Sequence, residues 1–409
     1  MMTATTVEPA ATEHVKPSKR PLRIGMVAYT FYDSDNRVMR YAELLAQEGH
    51  DVEVFALRGD NPKAETVYGV KVFRLQQRLK NEKTQFDYAW RVLGFLLRSF
   101  WQLSKRQLKR RYDLIHVHSV PDFLVFCALI PRLSGTPVIL DIHDILPEFY
   151  AGKFGASKKS LVFRLMCFVE WLSGKFSSHV IIANHIWKER LESRSVTPNK
   201  CSVVMNYPDR AIFQPSPEPG PKKGRFLFLY PGTLYWHQGL DIGIRAFAKI
   251  SDRAPHADFH IYGGGPVQDS LLALIKELRL EGRVCIYDSK PIREIAHLME
   301  LADVGVVPKR KDNFGNEAFS TKIFEFMAMN VPVIVSDTSV DKYYFNDSLV
   351  RFFRAGDEDD LAHAMLDLIQ HPEKRRALVE NSREFIRKND WTVKKCEYLD
   401  LVEDLTNPS

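Results

Sequence analysis

Short apolar runs alternate with helix-period segments along this chain, stop at a proline-rich break, and then begin again. "RIGMVAYTF" (23–31) reads as a buried strand, "NRVMRYAELLAQEGH" (36–50) as a helix ending near Gly49, and "DVEVFAL" (51–57) as a second strand. Further strands are predicted at 113–118, 137–143 and 179–184, with helical segments at 121–134 and 158–175. In "NYPDRAIFQPSPEPGPKKG" (206–224) five prolines and two glycines replace the periodic apolar sequence, the mark of a linker. Alternation then resumes with strands at 226–232, 258–265, 283–288, 304–308 and 331–337, and helices at 240–250, 267–280 and 291–301. Near-continuous apolar strands separated by helices imply parallel sheets covered on both faces. The expected fold is α/β, with two doubly wound Rossmann-like domains in series and ligands at the carboxyl ends of their strands. The boundaries are a disordered tail (1–20), an N-terminal domain (21–205), a linker (206–224), a C-terminal domain (225–385) and a C-terminal helix (386–409) packing back on the N-terminal domain.

At 409 residues and 45% apolar content the chain suits two cores and a soluble two-domain enzyme. Cys127, Cys167, Cys201, Cys285 and Cys396 are scattered, with no paired spacing or Cys/His cluster, so neither a disulfide framework nor a zinc site is expected, and a reducing cytoplasm is. The opening 20 residues lack an apolar core of the signal-peptide kind. No run approaches the ~18–20 apolar residues needed to span a bilayer. Between Gln76 and Tyr112, however, ten basic residues face only Glu82 and Asp87, a local surplus larger than the whole chain's +6. Residues 86–111 also carry Trp90, Leu93, Leu97, Trp101 and Leu108. The stretch is either a helix lying on an anionic membrane surface or a packed helix with a solvated basic face. No nucleic-acid motif accompanies it.

In "NEAFSTKIFEFMAMNVPVIVSD" (316–337), Ser320 is placed to cap a helix over about 321–329, with Asn330 at the left-handed position after it and Pro332 beyond. The free amides and dipole of such a terminus attract an anion, most simply a phosphate. A carboxylate there suits sugar hydroxyls better than phosphate, so Glu325 is a candidate for a ribose and Glu317 for a second polyol. By spacing alone, two ordinary surface acids are the better reading.

Glu317-x7-Glu325 with its following "FMAMNVPVIVSD" resembles the donor-binding signature of family 4 retaining glycosyltransferases of GT-B architecture. "YPGTLYWHQGLDIGIRAFAKI" (230–250), "IYGGGPVQDSL" (261–271), "DIHDILPEFY" (141–150) and "VVMNYPD" (203–209) resemble other segments of that family. The resemblance implies two Rossmann-like domains facing across a cleft and transfer of a sugar from a nucleotide-diphosphate sugar to a hydroxyl of a glycan or lipid-linked acceptor, in cell-surface polysaccharide synthesis. It places the ribose on Glu325, the transferred sugar on Glu317, and the diphosphate on the amides of Phe319, Ser320 and Thr321, with Gly232 and Gly264 lining the donor site. His143 matches a histidine near the donor sugar, though a structural histidine fits as well. Asp144 and Glu148 either orient the acceptor or cap the next helix.

The chain departs from the family at two places. Thr233 and Gln238 stand where many relatives carry an Arg and a Lys for the donor phosphates, and the glycine pair after the first strand is replaced by "YTFYDSDNR", where Arg37 offers a cation. Phosphate charge then falls to Lys322, to one of Lys309, Arg310 and Lys311, to His237, or to the helix terminus. His143, Glu317 and Lys322 are the expected catalytic set. No D-x-D motif is seen at a strand end, so no metal is expected, and no cofactor, the nucleotide sugar being a substrate. The expected location is cytoplasmic, peripheral on the inner face of the cell membrane if residues 86–111 bind it. A nucleotide-sugar 2-epimerase or a non-catalytic nucleotide-sugar-binding protein are the alternatives.

Overall fold

The computed structural model describes residues 20–77, 85–154, 159–216 and 224–407. The expected tail lies, apart from Arg20, outside the described residues, as do positions 217–223 of the expected linker. Fourteen strands are present among the described residues: β1 (Arg23–Phe31), β2 (Asp51–Arg58), β3 (Ala64–Val67), β4 (Val70–Gln77), β5 (Leu114–His118), β6 (Val138–Ile142), β7 (His179–Ile182), β8 (Cys201–Val203), β9 (Phe226–Pro231), β10 (Ala257–Tyr262), β11 (Val284–Tyr287), β12 (Val304–Val307), β13 (Val333–Ser336) and β14 (Arg351–Phe353). They form an eight-stranded sheet ordered β3-β4-β2-β1-β5-β6-β7-β8 and a six-stranded sheet ordered β11-β10-β9-β12-β13-β14. The two Rossmann-like α/β sheets expected from the alternation are therefore present.

The chain divides into two compact units, residues 1–116 with 127–136, and residues 117–126 with 137–409. In unit one, β1 pairs parallel to β2 with Met26 opposite Val54, and β2 parallel to β4. Asp35 caps the helix Asn36–Gln47 by accepting from the Arg37 and Val38 amides. In unit two, every pairing of the six-stranded sheet is parallel. Phe228, Tyr230, Phe259, Ile261, Val304 and Val306 are fully buried in it, which is why those strands read as unbroken apolar runs.

Several expectations needed revision. Strands β3 and β4 were missed: β3 is a four-residue edge strand with no buried residue, and it returns antiparallel on β4. β8 and β14, three residues each, are too short to show a period. The helix expected over 121–134 is instead a 3-10 turn, Asp122–Ala128, and a short helix, Leu129–Leu133. Pro131 has no N–H to continue an α-helical ladder from the preceding turn. At the C-terminus the helix Pro372–Lys388 stops and a new one, Trp391–Thr406, begins where Asp390 accepts from the Val393 amide.

Candidate functional site

The helix predicted over 321–329 spans Thr321–Ala328, and Asn330 takes a left-handed φ of 58° after it. The Asn330 and Val331 amides donate back to the Met327 and Phe326 carbonyls, closing that end. At the other end Ser320 occupies the cap position with extended backbone, but its hydroxyl makes no capping bond. That oxygen is buried and has no protein partner, which leaves it available to a ligand at the helix N-terminus.

Glu325 lies one turn into this helix and accepts a hydrogen bond from Thr321, with Lys322 beside it. Burial raises the Glu325 carboxyl above its ordinary range, and the Lys322 charge offsets part of that. Burial likewise lowers the Lys322 ammonium, with Glu325 opposing the shift and Lys309 adding to it. Both side chains nevertheless stay partly exposed, so a ligand at the helix N-terminus can reach them. Lys322 reaches across to the end of β9: its ammonium lies 5.3 Å from the Tyr230 ring centroid. A Cβ on Gly232 would fall 2.1 Å from the Lys322 Cε, and φ at Gly232 is +151°. A Cβ on Gly263 would fall 1.8 Å from the Gly232 carbonyl oxygen. The glycines after β9 and β10 therefore leave room for Lys322 and for one another's backbone.

Glu317, before the helix, is gripped from another part of unit two. The Arg190 Nε donates to its Oε2 at 3.0 Å and the Arg190 Nη2 contacts its Oε1. The Asn184 side-chain amide donates to the Glu317 carbonyl at 3.1 Å. The charge chain continues inward. Arg190 Nη1 lies 3.6 Å from Glu148, and Arg194 binds Glu148 through two nitrogens at 2.6 and 2.9 Å. Arg194 also binds Glu170 at 2.8 and 2.6 Å. Sequence reasoning missed Arg190 and Arg194. Their four-residue spacing is the only sequence signal, and it does not name the acids they meet.

His143 follows β6, its Nε2 3.3 Å from the fully buried Asp141 carboxylate and 3.2 Å from the His118 Nδ1. Asp144 is partly exposed beside it. Glu148, considered for acceptor binding, is 1% exposed with both oxygens taken by Arg194, so its observed role is as an internal counter-ion. Thr233 is exposed, and its carbonyl accepts from the Tyr230 hydroxyl. The Gln238 amide nitrogen meets the His237 Nε2 at 3.1 Å. The Gly264 carbonyl accepts from the Leu234 amide. Phe319 packs its ring on Phe324 and Tyr344. Arg37 belongs to unit one, where it is 4% exposed and lies over the Tyr41 ring.

The alternative phosphate cations are largely committed elsewhere. Lys309 is 2% exposed, bound to Asp341 at 2.9 Å and to the Ala318 carbonyl at 2.7 Å, so it braces the loop from within. Arg310 stacks on Trp236 and pairs with Asp241. Lys311 is exposed and reaches the Asp337 carbonyl at 3.4 Å. His237 sits against Phe314 and Tyr235, and burial lowers its pKa, which keeps it neutral near pH 7. Lys322 remains as the lysine beside both the helix terminus and the glycine turn.

The family model described as glycosyl transferases group 1 matches residues 213–385, and that of the glycosyl transferase 4-like domain matches residues 34–207. A phosphatidyl-myo-inositol mannosyltransferase of Mycolicibacterium smegmatis is 23% identical over 402 residues, 94% of each chain. Among solved structures, the sucrose-phosphate synthase of Thermosynechococcus elongatus superposes with a TM-score of 0.77 at 18% identity, covering 95% of this chain and all of that one. The Anabaena protein HepE in complex with UDP gives 0.70 at 15% identity, covering 94% of this chain and all of that one.

Proposed function

Because the chain belongs to the family 4 type of glycosyltransferases of GT-B architecture, we propose that it moves a sugar, with retention of anomeric configuration, from a nucleotide-diphosphate sugar to a hydroxyl of a lipid-linked or glycan acceptor. The product belongs to cell-surface polysaccharide. The carrying observation is the partly exposed Glu325–Lys322 pair at a helix N-terminus whose buried Ser320 hydroxyl has no protein partner.

In this reading Glu325 accepts from the ribose hydroxyls, and the amides of Phe319, Ser320 and Thr321 with the Ser320 hydroxyl hold the diphosphate. Lys322 neutralises the charge that grows on the diphosphate as the glycosidic bond breaks, and the helix dipole adds to it. Gly232 and Gly264 let the donor approach the backbone, with Thr233 and Gln238 on the turn that follows β9. Glu317 accepts from hydroxyls of the transferred sugar, held in place by Arg190. His143, steadied by Asp141, faces the reacting sugar, and Asp144 orients the acceptor. The acceptor hydroxyl attacks from the face that the diphosphate leaves and gives its proton to a departing phosphate oxygen. No metal or other cofactor is invoked, so transfer is expected to persist in chelator.

The acceptor arrives at a membrane. On the helix Gln85–Lys109 of unit one, Trp90, Leu97 and Trp101 are 76%, 57% and 66% exposed along a groove of about 910 Å³. Among the described residues, no helix is long and apolar enough to cross a membrane. Peripheral attachment through residues 86–111 to the inner face of the cell membrane fits both facts, and the phospholipid in the name of the mannosyltransferase relative supports a lipid acceptor.

The site is tested by Glu325→Ala and Glu317→Ala. The first is expected to weaken donor binding and the second mainly to slow transfer, each by about 10- to 150-fold, the worth of one charge-assisted hydrogen bond. Unchanged donor kinetics in both variants would remove the assignment.

A further inference from the structure

The helix Leu161–Phe176 of unit two presents its apolar side to solvent, the reverse of an ordinary surface helix. Leu161, Leu165, Phe168 and Leu172, spaced four, three and four, are 80%, 59%, 54% and 39% exposed. Val162 and Trp171 flank them, also exposed. The buried side carries Phe163, Glu170, Ser173 and Gly174. The helix cannot simply rotate to hide the stripe. Glu170 is fixed inward by Arg194, and a Cβ on Gly174 would fall 2.8 Å from the Val196 side chain. Ser160 caps its start by accepting from the Phe163 amide. A contiguous exposed stripe of this kind marks an interaction surface.

Its charges say what covers it. Lys159, Arg164 and Lys175 are exposed, and Glu170, the only acid between positions 159 and 177, is buried. A second copy on a two-fold axis would bring like cations to the stripe with no acid to meet them. An anionic lipid surface complements them. The Lys175 ammonium lies 5.1 Å from the Trp171 ring centroid, an amphipathic aromatic and a cation at one level, as at membrane interfaces.

We infer that the helix Leu161–Phe176 is a second lipid-interface element, lying in the plane of an anionic membrane and anchoring unit two independently of the helix Gln85–Lys109. Its 16 residues extend about 24 Å along the surface, with the leucines and Phe168 in the acyl boundary and Arg164 and Lys175 at the headgroups. The inference extends the membrane part of the proposed function but stands on different residues, so either can fail without the other.

The test is sedimentation of the full chain on phosphatidylcholine vesicles with and without phosphatidylglycerol. Three variants are compared: Leu165→Gln/Phe168→Gln/Leu172→Gln, Arg164→Gln/Lys175→Gln, and Leu93→Gln/Leu97→Gln/Trp101→Gln in the other helix. All these side chains are at least partly exposed, so circular dichroism and melting temperature are expected to stay near wild type. The first variant is expected to lose vesicle binding roughly tenfold or more, and the second to lose most of the preference for phosphatidylglycerol. Wild-type binding by the first variant overturns the inference. A loss confined to the Leu93/Leu97/Trp101 variant overturns it too and leaves the earlier surface standing, whereas a wild type that binds neither vesicle removes both. If light scattering shows a dimer that the first variant dissociates while vesicle binding is unchanged, the stripe belongs to a second copy.

Discussion

Replacing Arg190 by Met separates the role of Glu317 from its mere presence. Arg190 meets both carboxylate oxygens of Glu317, and the two side chains are 28% and 15% exposed. A pair of that burial stands between an exposed bridge, worth about 0–1 kcal/mol, and a fully buried one, whose rupture costs about 3–5 kcal/mol. Roughly 1.5–3 kcal/mol is the working value for one lost charged partner. If Glu317 must be held to receive the sugar, that free energy appears in transfer, as a fall in kcat/KM of about 10- to 150-fold. The fold should tolerate the change. Glu148 keeps both Arg194 contacts and Arg194 keeps Glu170, so the inner part of the charge chain survives. Steady-state transfer assays on Arg190→Met, Glu317→Ala and the double variant provide the check, with Arg190→Lys as a partial rescue. The double variant should be no slower than Glu317→Ala alone. Transfer by Arg190→Met within about twofold of wild type, or costs that simply add in the double variant, would refute the reasoning.

Three further outcomes follow from the same site. Lys322→Met should depress kcat more than it raises the donor's Kd, measured by single-turnover rates and calorimetry, because Lys322 is the lysine left to meet the leaving group. Gly232→Ala should cost about 1–3 kcal/mol for its left-handed φ and push the Lys322 ammonium aside, so donor turnover falls beyond what the melting temperature accounts for. Burial raises Glu325 and lowers Lys322, so the pH profile of kcat/KM should be narrowed from both sides, falling below a pH above the ordinary carboxylate range and above one below the ordinary lysine range. Glu325→Gln should flatten the acid limb. Linkage gives the unliganded fold the opposite trend from Glu325: a raised folded pKa contributes stability below the ordinary carboxyl value that is lost as pH rises through the raised one, which thermal melts between pH 4 and 7 would show.

What the amino-acid order alone determined was local. Parallel strands buried on both faces must be apolar throughout, so the alternation from Arg23 to Ser336 was legible and with it the fold class. Helix period put Glu325 and Lys322 on adjacent turns of one short element, and Asn330 with Pro332 marked its end. The edge strand β3 and the three-residue strands stayed hidden, because segments that bury little or span less than one period carry no pattern, whereas β4 was missed although Val70, Val72 and Arg74 alternate inward along it. Tertiary structure decided the partners. Arg190 and Glu317 are 127 positions apart, and nothing in either neighbourhood names the other. Lys309, a plausible phosphate ligand by sequence, is instead locked onto Asp341 inside the loop. The helix Leu161–Phe176 looks like any amphipathic segment until Arg194 is seen to hold Glu170 inward, which turns the leucines out. Side-chain period fixes which residues share a face, but only the contacts made by that face decide whether it is core, site or surface.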